Sequence, residues 1–281
     1  MFKRFSVFML VLSFLGCGSQ PGRDKELGTD IIKPQVSSFQ LTSGSPTSVS
    51  MVSFTLEASD NIGITGWQLT ETGVAPLADN GMWTADKPSS YKMSTCGVNE
   101  IYIWVKDAAG NISDSIAPIS VSFEPAVWIN ELHYDDNNST GDINEGVEIA
   151  GTAGLNLGGW KIIFYNATGS VEYGNISLTG VIPNQQNDFG TKFFYFTGIQ
   201  NGAPDGLALL NPEGEMIQLL SYEGTFTVGT TMSSDIGVFE NAVEAGFSLQ
   251  LEGTGNKYSD FHWVEAKAGS YGSVNGGQVM Q

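Results

Sequence analysis

Residues 128–148 hold most of the side chains in this sequence that could do acid–base or metal chemistry. Within Trp128-Ile-Asn130-Glu131-Leu132-His133-Tyr134-Asp135, the groups Glu131, His133 and Asp135 recur at every second position. In a β-strand that period puts them on one face and Trp128, Leu132 and Tyr134 on the other. One reading is a divalent ion shared by same-face neighbours, with a metal-dependent hydrolase acting at Glu131, His133, Asp135 and Glu148. The other is a half-buried strand whose apolar side enters the core and whose polar side meets water. Zinc prefers His or Cys ligands, and the second histidine, His262, is far along the chain, so the water-facing reading is the expectation. The next loop, Asp135-Asp136-Asn137-Asn138-Ser139-Thr140-Gly141-Asp142, is richer in hard oxygen donors. Counted from Asp136, it fills EF-hand positions one, three, five, six and seven, but position twelve is Val147 and Glu148 falls one residue late. With no flanking helices an EF-hand is excluded. Irregular calcium coordination by Asp135, Asp136, Asn138 and Asp142 stays open beside a solvated acidic turn, and calcium is the only cofactor implied.

Other chemistries find no foothold. There is no Gly-x-Ser-x-Gly elbow, no cysteine after Cys96, and no phosphate-binding glycine pattern attached to a helix. Paired carboxylates abound, so no glycosidase pair stands out without a fold to place it. No catalytic residue is assigned and a non-enzymatic chain is expected. Thirty acidic residues against twelve basic ones give a net charge of −18. Such a surface repels phosphate backbones and anionic lipid, so direct nucleic-acid binding is not expected. Only 15% of positions are charged and there are 35 glycines and 16 phenylalanines, a globular, β-leaning composition.

The N-terminus carries an address. Lys3 and Arg4 precede an uncharged run from Phe5 to Gly16, too short to span a bilayer, which takes about 20 residues. Gly16 directly before Cys17, preceded by Phe14-Leu15, resembles a bacterial lipobox, with Phe14 where Leu is usual. The resemblance implies a signal peptide over 1–16, diacylglycerol on the Cys17 thiol, and membrane attachment through that lipid. Residues 17–35, polar and with Pro21, Gly22, Gly28 and Pro34, are expected to form a flexible tether. Gly18 after the cysteine points to the outer membrane or cell surface where the usual Gram-negative sorting operates. With Cys17 acylated, Cys96 has no partner, and it is expected to be a small, half-buried side chain.

Short alternating runs then dominate, such as Val52, Phe54, Leu56 and Ala58, or Ile101, Ile103 and Val105. Turn-rich stretches, Asp60-Asn61-Ile62-Gly63 and Asp107-Ala108-Ala109-Gly110-Asn111, separate them. Asp60 and Asp107 there suit backbone-bonding turns, although some surface sandwiches hold calcium at such an edge. The segments Phe54–Trp67 and Ile101–Asn111 resemble the bacterial immunoglobulin-like modules that act as spacers or adhesive stalks, which implies a β-sandwich over 36–124. Pro125 marks a boundary.

Residues 125–281 read as a second all-β unit, with strands expected at 127–133, 147–149, 160–165, 171–178, 193–196, 207–210, 216–222 and 247–251. In the last of these Phe247, Leu249 and Leu251 are expected inward, and Ser248 and Gln250 outward. The ordered motifs Trp128–Asp135, Glu145-Gly-Val147-Glu148, Leu157-Gly-Gly-Trp160, Gly198–Gly206, Leu220–Gly224, Asp235-Ile-Gly237, Ser248–Leu251 and Asn275-Gly276 are similar to the bacterial lamin-tail domain. That resemblance implies a second immunoglobulin-like sandwich, and a place in exported proteins, often beside extracellular nucleases or other hydrolases, serving attachment or targeting. Two function classes follow. The first is a lipid-anchored envelope protein that binds or scaffolds an extracellular polysaccharide or protein, with Trp83, Tyr91, Tyr173 and Tyr258 as candidate contact aromatics. The second is a metal-dependent, nuclease-like extracellular hydrolase, or the accessory of a secreted nuclease. In cells fed labelled palmitate the wild-type chain is expected to take up label and Cys17→Ala to lose it; label retained by Cys17→Ala would refute the lipobox.

Overall fold

A computed structural model of the chain describes residues 30–137, 141–241 and 243–281. The expected signal peptide, Cys17, most of the tether and Asn138 lie outside the described residues. The described residues are all-β, with one 3-10 turn among them at Tyr258–Asp260. Six strands come first: β1 (Gln35–Leu41), β2 (Met51–Ser59), β3 (Ile64–Thr70), β4 (Ser90–Lys92), β5 (Gly97–Asp107) and β6 (Ile119–Phe123). Thirteen follow: β7 (Val127–His133), β8 (Gly146–Thr152), β9 (Lys161–Asn166), β10 (Val171–Ser177), β11 (Phe189–Tyr195), β12 (Asp205–Leu210), β13 (Met216–Tyr222), β14 (Thr227–Val228), β15 (Thr231–Met232), β16 (Ser234–Asp235), β17 (Phe247–Gly255), β18 (Phe261–Ala268) and β19 (Gln278–Met280).

The first six strands form two three-stranded sheets, β1-β2-β4 and β3-β5-β6. Alternation does the sorting: on β2, Val52, Phe54 and Leu56 are buried while Met51, Ser53, Thr55 and Glu57 are exposed. These side chains meet Trp67, Ile101, Ile103 and Val121 from the other sheet in one apolar cluster. A second, larger cluster is built from residues 126–280, together with a contact from Val49. It lies between a five-stranded sheet, β10-β9-β12-β13-β16, and a six-stranded sheet, β11-β8-β7-β17-β18, in which β19 joins β17 in parallel. Aromatic pairs fill it: Tyr134 stacks on Tyr222 with ring centroids 4.2 Å apart, and Trp128 on Phe261 at 5.5 Å. The two cores meet around Pro125, where Thr152 Oγ1 donates to the Ser48 carbonyl at 2.6 Å and Val49 packs against the second cluster.

Four expectations need correction. β18 and β19 were not among the expected strands. Cys96 is exposed rather than half-buried. Ser248 and Gln250 of β17 are fully buried, not outward. Glu131 and His133 are likewise fully buried rather than facing water. The last two share a cause. Every residue of β8, and every residue of β7 after Val127, is buried, because the segment 269–277 bonds to Glu131, Glu148 and Asn130 and covers the polar side of these strands.

β12 sits between β9 and β13, and its Gly206 is a close-approach position: a Cβ there would strike the Leu220 carbonyl oxygen and the Phe226 ring. Gly206→Ala is expected to destabilise the chain by about 2 kcal/mol or more in urea unfolding; an unchanged midpoint would contradict this packing.

Candidate functional site

The polar constellation picked out from the sequence lies in the middle of the six-stranded sheet. A β-bulge on β7 sets its geometry. Ile129 pairs with Ile149 and Glu131 with Glu148, leaving Asn130 as the extra residue. The bulge therefore puts two carboxylates directly opposite each other on adjacent strands, a like-charge arrangement that is unfavourable by itself. Both are fully buried, and no Lys or Arg among the described residues pairs with either.

Hydrogen-bond donors offset the burial instead. Glu131 accepts from Ser248 Oγ, from the Ser270 amide at 2.9 Å, from Ser270 Oγ at 2.6 Å and from the Tyr271 amide at 3.1 Å. Glu148 accepts from Asn130 Nδ2 at 2.8 Å and from the Gly272 amide at 2.6 Å. Gln278 Nε2 donates to Asn130 Oδ1 at 2.7 Å, and Trp128 Nε1 donates to the same oxygen at 3.0 Å. Asn275 Nδ2 reaches the carbonyls of Asn130 and Leu251 at 3.1 and 3.0 Å. Burial, reinforced by the charge of Glu131 across the pair, pushes Glu148 up to about 8. At neutral pH Glu148 is thus largely a neutral acid, which relieves the like-charge contact.

His133 belongs to a separate group. Its Nδ1 lies 3.0 Å from Glu240 Oε1 and its Nε2 lies 3.0 Å from the Ile143 carbonyl, with Asp136 Oδ1 at 3.5 Å. Acceptors at both ring nitrogens require N–H at both, the imidazolium form. Burial pulls the His133 pKa down, but the hydrogen bond and charge of Glu240, with Asp136, outweigh it and leave the group raised. Glu240 also accepts from the amides of Tyr134 and Asp135 at 2.6 and 2.8 Å, closing the loop before β17 over the end of β7. Glu145 works in the same way on the Gly198 and Ile199 amides, at 2.7 and 2.8 Å. Carboxylate to loop amide is the recurring bond of this half of the molecule.

The other candidates from the sequence are placed as follows. Asp135 is partly buried, Asp136 buried and Asp142 exposed. The Asp136 amide donates to Asp142 Oδ1 at 2.8 Å, and Asp136 Oδ2 accepts from the Ile143 amide at 2.8 Å. Asp60 and Asp107 bond their own turns: Asp60 Oδ2 accepts from the Ile62 and Gly63 amides, and Asp107 Oδ1 from the Asn111 amide. Trp83, Tyr91, Tyr173 and Tyr258 are all partly buried. All four have polar partners in the fold: Trp83 Nε1 donates to the Leu77 carbonyl, Tyr173 OH accepts from the Gln200 amide, Tyr258 OH accepts from Trp263 Nε1, and Tyr91 faces Glu71. Reading the sequence missed Glu240, Ser270, Tyr271 and Gln278. Each lies in a stretch without apolar periodicity, and the signal was their polar identity alone.

As chemistry, the constellation holds loops: Glu131, His133 and Glu148 have no exposed surface and their hydrogen-bonding positions are occupied from within the chain, while Asp135 is partly buried. No family model matches this sequence, and no curated protein matches it.

Two outcomes follow. Glu131→Ala removes the acceptor for four strong donors, and is expected to cost about 3 kcal/mol or more in denaturant unfolding; a variant as stable as wild type would overturn the structural role. Glu148, raised from 4.5 to about 8, keeps a proton in the folded chain that the unfolded chain releases. Glu240, Glu145 and Asp205 are also raised, chiefly by burial. Their contribution is complete below the ordinary carboxylate range and is lost as pH climbs through the raised values. Stability is therefore expected to fall between about pH 5 and pH 8, by about 1.4 kcal/mol per pH unit for each proton involved; a rise across that window would contradict it.

Proposed function

We propose that this chain is a non-enzymatic, lipid-anchored protein of the bacterial cell envelope, an immunoglobulin-like spacer carrying a lamin-tail domain that binds or scaffolds an extracellular polysaccharide or protein. One observation carries the non-enzymatic part of the reading. Of the four residues on which a metal-dependent hydrolase would depend, Glu131, His133 and Glu148 are sealed inside the sheet with their hydrogen bonds taken up within the chain, and Asp135 is partly buried. A catalytic carboxylate must reach a substrate proton or a metal within about 3 Å, directly or through one water. Side chains held in this way serve the architecture instead.

The lipid at Cys17, the tether over 17–35, the spacer over 36–124 and the terminal unit over 125–281 together make a display device. The first unit sets the distance from the membrane, and the second presents its loops and edge strands. Its acidity limits the choice of partner. A surface with this excess of carboxylates favours neutral glycans or proteins with basic patches over nucleic acid.

The test uses the full chain in detergent, assayed against nucleic acids and glycans with calcium, magnesium or zinc, and in parallel against immobilised envelope polysaccharides and purified secreted proteins. Retention of one of these partners without turnover of any substrate is expected. Turnover that Glu131→Gln abolishes while the variant keeps its fold, judged by near-ultraviolet circular dichroism, would overturn the proposal in favour of the hydrolase.

A further inference from the structure

The first sandwich has a polar feature unlike the buried network of the second. One carboxylate oxygen from each of Asp30, Asp60 and Asp107 lies within 4.8 Å of the other two. They come from three separate pieces of chain: the segment before β1, the β2–β3 turn and the end of β5. Asp107 is 3% exposed, and the other two are partly buried. Among the described residues no Lys or Arg pairs with any of them.

Internal donors fill all of the cluster but one oxygen: Asp107 accepts from the Asn111 amide and side chain, and Asp30 Oδ1 accepts from the Ile32 amide at 3.0 Å. Asp60 commits Oδ2 to the Ile62 and Gly63 amides, while its Oδ1 is shut off from water and has no hydrogen-bond partner. A shielded carboxylate oxygen left without a donor, beside two further carboxylates, is a costly arrangement unless a cation completes it. Asp30 is meanwhile held toward the others. Asn111 Nδ2 donates to its carbonyl at 2.9 Å and to Asp107 Oδ2 at 2.7 Å, and Asn61 Nδ2 reaches its carboxylate at 3.3 Å.

We propose that Asp30, Asp60 and Asp107 bind a calcium-class divalent cation, which clamps the segment preceding β1 onto the edge of the first sandwich. The donor set is all hard oxygen, with no imidazole or thiolate, which selects alkaline-earth ions over zinc or copper. Calcium takes oxygen ligands at about 2.4 Å, so ligands up to about 4.8 Å apart fit within one coordination sphere. Three protein oxygens leave the remaining positions to water. With one shell spread over three chain segments, binding is geometrically tied to the position of residue 30 and does not depend on the loop at 135–142.

The test is calorimetric titration of calcium chloride into the full chain in detergent after chelator treatment, with Asp30→Asn, Asp60→Asn and Asp136→Asn alongside. Asp30 precedes every strand, and an Asn at 60 retains an oxygen for the turn amides, so both variants keep the fold. One ion per chain is expected, with a dissociation constant of about 10⁻⁴–10⁻³ M, as for extracellular calcium modules. Asp30→Asn and Asp60→Asn are each expected to weaken it about tenfold or more, and Asp136→Asn to leave it unchanged. No saturable heat at millimolar calcium would overturn the proposal. So would binding that survives both Asp30→Asn and Asp60→Asn, or binding that only Asp136→Asn removes.

Discussion

Two glutamates facing each other across adjacent strands, buried and without a basic partner, set the terms for the larger core. A carboxylate taken out of water has to recover its hydrogen bonds from the protein. The strands beside Glu131 and Glu148 cannot supply enough, because their amides are used in the ladders. Donors must therefore come from irregular backbone, and residues 269–272 provide them with a run of serine, tyrosine and glycine amides. Once that segment is drawn across the sheet, Asn275 and Gln278 reach Asn130, and β19 is brought alongside β17. The bulge, the covering segment and the parallel strand are parts of one solution to one electrostatic problem.

That solution was only half visible in the sequence. Alternation identified β2 because Val52, Phe54 and Leu56 are buried there while Ser53, Thr55 and Glu57 are exposed, so burial and chemistry coincide. The ends of β7 and β13 were also placed correctly. On the outer side of β7, β8 and β17 the coincidence fails. Glu131, Ser248 and Gln250 look like solvent-facing residues, and nothing nearby in sequence signals that a segment more than 100 residues from Glu131 will cover them. Periodicity reports which side chains share a face, not what lies above it. Phe261-His-Trp263 carried a legible alternation in β18, with Phe261 and Trp263 buried and His262 exposed. The chemistry of 128–135 was visible too, but its role as an acceptor of loop amides depended on Glu240 and Ser270, which no local pattern connects to it.

The same habit recurs at smaller scale. Glu145 holds the 198–199 turn, Glu240 the end of β7, and Asp205 the Gly202 amide. A chain with so few lysines and arginines cannot hold its loops with ion pairs, so it uses carboxylates as acceptors for the main chain. The three Lys–carboxylate pairs among the described residues are on the surface or partly exposed, where such pairs contribute little. Among the described residues, seven of the thirty acidic side chains, Asp107, Glu131, Asp136, Glu145, Glu148, Asp205 and Glu240, are buried as internal wiring of this kind. Asp30, Asp60 and Asp107 differ in that they converge with one buried oxygen, Asp60 Oδ1, left without a donor.

The parallel strand at 278–280 has a consequence for how the second core is held together. Gln278 bonds Asn130, and the Gln281 amide bonds Gly255, so the second core is completed by residues far along the chain from β7. The first sandwich closes with β6 at residue 123 and needs nothing later for its apolar cluster. The first cluster is thus self-contained over residues 36–123. The second works as a clasp whose two jaws, Asn130 and Gln278, lie 148 residues apart, so that a cut anywhere between them severs the covalent path but not the hydrogen bonds that hold it shut.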